Sequence, residues 1–404
     1  MYKNLDNSIV SLKNQSVSLR LSGLVFALII GLNTIAVPAS GIVFMGTRLI
    51  QALELIVVGY LFHLNIHQLK LKYSGLNTSI IHIWWGLLFA LTFFQAETTS
   101  FTIIYQWMTI WIIITIFNLA DNDDKIYLYK LIATILSILI YANTILFFIF
   151  PDGLWEDTNW VGTGDIKRYL FGNYNQTGMV CLLGIVARGI CVLHTGEGYK
   201  KLYFLLIVSI ITVAMMGSMT STVSLIIVML YMLFRKLIGN RMLRLIVFSS
   251  IMIYVLFFFV FVWSGSEVGG VLSRFIEEVL NKDTTFSGRS FIWKEATDMV
   301  SEHFLFGYGS RDPEWMMDKI GGSGPHNLWI LMLLEGGICL CGTFILLIVS
   351  LIFSILRHLG KESRIGLICL CAMLLMSLFE TYNIICTFML IIMVHNTLLL
   401  PSKE

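Results

Sequence analysis

Long apolar runs separated by short polar turns dominate the chain. Runs near 21–37, 42–63, 79–96, 101–120, 126–150, 174–193, 202–219, 221–235, 243–263, 328–356, 365–379 and 383–400 approach the roughly 20 residues an α-helix needs to cross a bilayer. Two polar connections are long, 151–173 and 264–326. The pattern predicts an all-α, polytopic integral membrane protein of about 12 transmembrane helices, with residues 1–404 forming a single membrane domain. Residues 1–20 are polar, carry Lys3, Lys13 and Arg20, and precede no small-residue cleavage site. Leu21 onward therefore reads as an uncleaved first span.

Composition removes the soluble alternatives. Of 404 residues, 57% are hydrophobic and 13% charged, and the mean hydropathy is +0.82. A soluble domain carries about 25% charged residues. Charge also orients the spans. With both termini cytoplasmic, the cytoplasmic segments hold about 17 Lys/Arg, including Arg235, Lys236, Arg241 and Arg244 in one turn and Arg357, Lys361 and Arg364 in another. The opposite side holds about 8, against about 15 acids. Both long loops are thus expected to face outward. The seven cysteines, Cys181, Cys191, Cys339, Cys341, Cys369, Cys371 and Cys386, all fall inside predicted spans. They read as apolar packing residues, not as disulfide or zinc partners.

Several chemistries lack their motifs. There is no Walker loop, dinucleotide fingerprint or HExxH, and no basic surface for nucleic acid. A nucleotide-driven pump and a nucleotide-sugar transferase are both disfavoured. Asp121-Asn122-Asp123-Asp124 is expected to be a solvated turn. His63 and His67, spaced i, i+4, lack a third metal ligand. Glu54, Glu335 and Glu380 lie within or near span ends, and each reads equally as an inter-helix partner or as part of a substrate path. Arg48, six residues from Glu54, is off that helix face.

The 264–326 loop concentrates the remaining chemistry. After Arg274, Glu277 and Glu278, the spacing predicts an amphipathic helix over about 290–303, with Ser290 as a cap and Phe291, Ala296, Met299 and Val300 on one side. Such a helix would lie along the outer membrane surface. Arg289 would stand at its N-terminus, where free N–H groups also favour anions. The loop closes with Pro325-His326-Asn327 directly before a span.

These residues resemble the O-antigen ligase and polysaccharide polymerase superfamily. The resemblance rests on Gly288-Arg289, Trp293, Phe306-Gly307-Tyr308-Gly309, and His326-Asn327 leading to Glu335-Gly336-Gly337. It also rests on Arg168 followed by Phe171 through Gly178. One departure stands out: where the family often has a Ser-Arg pair, this chain reads Met216-Gly217-Ser218-Met219-Thr220-Ser221-Thr222, without arginine. Arg274 or Lys167 is a candidate substitute.

The resemblance implies an inverting, metal-independent glycosyl transfer without a cofactor at the outer face of the cytoplasmic membrane. The donor would be a glycan on polyprenyl diphosphate. Arg289 and Arg168 would bind the diphosphate, and His326 would be the general base, since histidine ordinarily titrates near neutrality. Asn175 and Asn327 would orient sugar or phosphate. Trp293 and Tyr308 are candidates for stacking on sugars or for an interfacial aromatic belt. The favoured activity is polymerisation of lipid-linked repeat units into a surface polysaccharide, with a flippase and a chain-length regulator as partners. The alternative is ligation of the glycan to lipid A core. A third reading, a lipid-linked glycan transporter, would require an internal repeat that the sequence does not display.

Overall fold

The computed structural model describes residues 30–31, 33–36, 56, 75–95, 101–157, 166–263 and 289–400. Glu54, His63, His67, Arg274 and most of the first two predicted spans lie outside the described residues.

The chain folds as helices α1 (Leu76–Gln95), α2 (Phe101–Leu119) and α3 (Asn122–Ile149), then a hairpin of β1 (Trp155–Asp157) and β2 (Ile166–Arg168). Helices α4 (Tyr174–Thr195), α5 (Tyr199–Met215), α6 (Met219–Phe234) and α7 (Asn240–Phe257) follow, the last continuing into a π-helical turn, Phe258–Trp263. Next come α8 (Arg289–Glu302), α9 (Pro313–Ile320), α10 (Leu328–Arg357), α11 (Lys361–Ser377) and α12 (Ile384–Asn396). Each predicted span from 79–96 onward coincides with a helix. Among the described residues, the architecture is all-α apart from the small antiparallel hairpin in the 151–173 connection.

Among the described residues, six helices are long and apolar enough to cross a membrane: 77–95, 101–118, 122–149, 174–195, 240–260 and 328–357. The chain is therefore a multi-pass membrane protein. Helices α5, α6, α11 and α12 have 17, 16, 17 and 13 residues. At about 1.5 Å per residue they run roughly 20–26 Å, short of a hydrocarbon core about 30 Å thick. The two pairs end for the same reason. Their turns, Met216–Ser218 and Leu378–Asn383, meet around one buried polar cluster.

The Asp-rich motif begins α3. Asp121 caps the helix by accepting the Asp124 N–H at 3.0 Å, and the acids of the first turn face the positive end of the helix dipole. Helix α4 is the central post, packed against α3, α5, α6, α11 and α12, with Met179 through Ala187 buried. An aromatic cluster of Trp84, Trp85, Phe344 and Phe388 joins α1, α10 and α12, Trp84 and Phe388 lying 4.8 Å apart.

Helix α8 matches the predicted amphipathic helix to within one residue, although Ser290 lies inside it instead of capping it. Its buried face differs from the expected one. Trp293, Ala296, Thr297 and Val300 are buried, at the i, i+3, i+4, i+7 spacing of a helical stripe, while Phe291 is 61% exposed. The stripe packs on α10 and the π-helical turn. Ring size explains the difference, since the indole of Trp293 buries the larger apolar area.

Helix α10 is broken inside. Gly336 and Gly337 leave helical geometry, Gly337 at φ 59°, ψ −159°. The backbone of Phe304–Gly309 docks into the break. Tyr308 N–H donates to Leu334 O at 2.7 Å, Gly309 N–H to Glu335 O at 2.9 Å, and Ile338 N–H to Phe304 O at 2.8 Å. A Cβ on Gly337 would overlap the Leu305 carbonyl. Thus the two glycine motifs, Phe306–Gly309 and Glu335–Gly337, interlock through their backbones.

Candidate active site

Glu380 is the centre of the polar cluster. It lies in the turn between α11 and α12, its side chain 5% exposed. Four donors meet its carboxylate. Asn175 Nδ2 and Arg289 Nη2 reach Oε2, the latter at 3.3 Å. His326 Nδ1 lies 2.9 Å from Oε1, and the Thr381 N–H donates to the same oxygen at 3.0 Å. Burial alone would raise the carboxyl's pKa. The hydrogen bond and charge of His326, the charge of Arg289 and the Thr381 N–H outweigh it and hold the group below the usual carboxylate range. Glu380 is therefore an ionised acceptor, and the imidazole presents a proton to it from Nδ1.

Each partner is placed by its own element. Arg289 opens α8, and a second guanidinium nitrogen donates to Phe379 O. Four residues on, on the same helix face, the Trp293 indole donates to Pro325 O at 2.8 Å. One helix thus holds both the arginine and the turn that carries His326. That turn is strained: His326 has φ 46°, a conformation few non-glycine residues adopt. Asn327 caps α10, accepting the Trp329 and Ile330 N–H groups at 2.9 and 3.1 Å and donating to Leu378 O at 2.9 Å. It ties the turn that carries His326 to the segment of chain that carries Glu380.

Asn175 sits in the first turn of α4, its Oδ1 accepting from Ser218 Oγ at 2.9 Å. Gly178, one turn later, gives Ser221 the room to approach, since a Cβ there would overlap the Ser221 side chain. Gln176 bonds Thr381 O at 3.0 Å and the Asn383 N–H at 2.9 Å. Residues Asn175–Gly178 and the region lacking a Ser-Arg pair therefore both fix the Asn175 side chain and the Glu380 turn.

Of the expected site residues, Arg289, His326 and Asn175 converge on one carboxylate, and Asn327 stands beside them. Lys167 and Arg168 lie on the hairpin. Lys167 Nζ donates to Asp152 at 2.8 Å and to Pro151 O at 3.2 Å. Arg168, half-buried, pairs with Trp155 across the hairpin. Trp293, 1% exposed, cannot stack on a sugar. The Tyr308 hydroxyl is bonded to Met299 O at 3.1 Å and Glu302 at 3.2 Å. Glu335 of α10 accepts from Ser310 Oγ at 2.8 Å, so it helps to hold the docked loop. Among the described residues, no group of three or more His, Cys, Asp or Glu side chains is placed to hold a metal ion.

The sequence did not single out Glu380 as the hub. Its signal was isolation: it is the only acid between Glu362 and the C-terminal Glu404. Residues 204–345 match the family model described as O-Antigen ligase. The matched segment contains Arg289 and His326 and ends before Glu380. No curated protein matches the chain.

Proposed function

Starting from a segment that matches the family model described as O-Antigen ligase, we propose that the protein polymerises a surface polysaccharide. It takes glycan repeat units from a polyprenyl diphosphate carrier at the outer face of the cytoplasmic membrane. The observation that carries this reading is the His326–Glu380 pair at 2.9 Å, with the imidazole 32% exposed and the carboxylate buried. With Nδ1–H held by the carboxylate, Nε2 keeps its lone pair. It accepts the proton of the acceptor hydroxyl as that oxygen attacks the anomeric carbon. The bond from the anomeric carbon to the diphosphate oxygen breaks, the configuration inverts, and the carrier leaves as its diphosphate.

Arg289 uses only part of its five N–H donors on Phe379 and Glu380. The remainder, with Arg168, Lys167 and Arg274, are assigned to the diphosphate, whose charge grows as the bond breaks. Asn327 holds the base-bearing turn, and Asn175 holds the carboxylate.

The test uses purified protein in detergent with a polyprenyl-diphosphate-linked repeat and no nucleotide. Wild type lengthens the glycan, with or without a chelator, and His326→Ala does not while still inserting into membranes. Full activity of that variant removes His326 as base; loss of wild-type activity on chelation removes the metal-free mechanism. The description of the matched family favours a second reading, ligation to lipid A core. Offering both acceptors to one preparation separates the two.

A further inference from the structure

Helix α4, which brings Asn175 to Glu380, also frames a second polar site far from it. Arg188 lies thirteen residues beyond Asn175 on α4, about 20 Å away at 1.5 Å per residue. There a cavity of about 400 Å³ is lined by Ser137 and Tyr141 of α3, Arg188 of α4, and Lys200, Lys201 and Phe204 of α5. Three of these six side chains are cations, and none is an acid.

Arg188 is half-buried within a membrane-crossing helix. Its guanidinium donates to Ala133 O at 3.1 Å and Ser137 Oγ at 3.2 Å. Both acceptors are neutral. Among the described residues, no carboxylate forms an ion pair with Arg188, Lys200 or Lys201. Glu197, the nearest acid in sequence, is exposed in the α4–α5 turn. A cation inside a span is costly unless something of opposite charge or a run of acceptors compensates it, and two lysines on the facing wall add repulsion.

The backbone adds to the same preference. Lys200 and Lys201 occupy the first turn of the 17-residue helix α5, whose N-cap is Gly198 and which has no side-chain cap. The first-turn N–H groups of such a helix favour an anion. Beside the cations, Tyr141 and Phe204 pack with ring centroids 5.6 Å apart, and Phe204 is 59% exposed. A cationic pocket next to an exposed aromatic wall suits a molecule with an anionic head and an apolar tail.

We propose that this cavity binds the phosphate headgroup of an anionic membrane lipid, its acyl chains lying along Tyr141 and Phe204. Basic pockets between membrane helices are the usual receptors for such headgroups. The site is separate from the Glu380 cluster and does not rest on the proposed glycosyl transfer.

The test titrates detergent-purified full-length protein with short-chain phosphatidylglycerol, short-chain phosphatidylcholine or inorganic phosphate. Bound lipid is counted by native mass spectrometry and unfolding is followed by heating. Phosphatidylglycerol is expected to bind as one retained molecule and raise the unfolding temperature, and the other two to do neither. Each near-surface cation contributes about five-fold in affinity, so Lys200→Gln with Lys201→Gln should weaken binding about 25-fold. These two lysines are exposed, so the double variant leaves the half-buried Arg188 and its bonds in place; Arg188→Gln is the second, stricter variant. Equal binding of phosphatidylcholine overturns the charge argument. Equal stabilisation by inorganic phosphate assigns the site to a soluble anion and overturns the lipid. Undiminished phosphatidylglycerol binding in the double variant also overturns the proposal.

Discussion

Glu380→Gln changes one atom and one charge at the centre of the cluster, which makes its effect calculable. The carboxylate offers two oxygens to four donors: Asn175 and Arg289 on one, His326 and the Thr381 N–H on the other. An amide has one oxygen. If that oxygen faces His326 and Thr381, its NH2 points at Asn175 and Arg289. If it is flipped, its NH2 points at His326 and Thr381. The first form leaves two donors facing a donor; the flipped form leaves one, the Thr381 N–H, once the imidazole moves its proton to Nε2. One or two lost bonds to a charged group, at about 1.5–3 kcal/mol each, amount to roughly 1.5–6 kcal/mol. The flipped form also favours the proton on Nε2, which removes the base. We expect kcat to fall by roughly 10²–10⁴, measured as glycan chain elongation from a lipid-linked repeat well below the unfolding temperature. Glu380→Asp keeps the charge with a shorter reach and should recover part of the rate. A Glu380→Gln protein with wild-type turnover and an unchanged pH profile would refute the role of the carboxylate.

Three further outcomes follow from the same geometry. The folded Glu380 carboxyl titrates below its ordinary value of 4.5, so its contribution to stability is full above that value and is lost as the pH falls through the depressed one; unfolding temperatures should drop in acid for wild type, with a shallower drop in Glu380→Gln. Gly337→Ala places a methyl against the Leu305 carbonyl at a positive φ and should destabilise by about 3 kcal/mol, read by denaturant or thermal unfolding; an unchanged midpoint would show that the docked loop yields freely. Trp293→Phe removes the bond to Pro325 O and part of a buried ring. It should lower stability by about 1–3 kcal/mol and turnover along with it, whereas a loss of stability with full turnover would separate α8 from the placement of His326.

Helices were legible because a run of apolar residues near bilayer length has few other stable forms. Their number as spans was less so: α6 and α12 are apolar but short, α5 and α11 are short and open on charged residues, and apolarity does not record where a buried polar turn interrupts a run. The site was legible in part. Arg289, His326 and Asn327 stand out as polar residues in or beside a long polar loop. Glu380 joins residues 54, 91 and 205 positions away, and no local period encodes such a meeting. Trp293 was left between a sugar platform and an interfacial belt because the sequence reveals an aromatic residue, not which face of α8 is covered. The glycines of Phe306–Gly309 and Glu335–Gly337 announced tight backbone, but not that each segment was the other's partner.

The break at Gly336–Gly337 bears on how the protein is assembled. A helix entering a bilayer with opened backbone groups leaves them facing hydrocarbon, where each unpaired group costs several kcal/mol. Phe304–Gly309 supplies the missing partners, and the chain emerges from the ribosome with that segment ahead of the helix it completes. Insertion of α10 and docking of the preceding loop are then one step, not two, and a nascent chain stalled before docking would present an incomplete span to the quality-control proteases of the membrane.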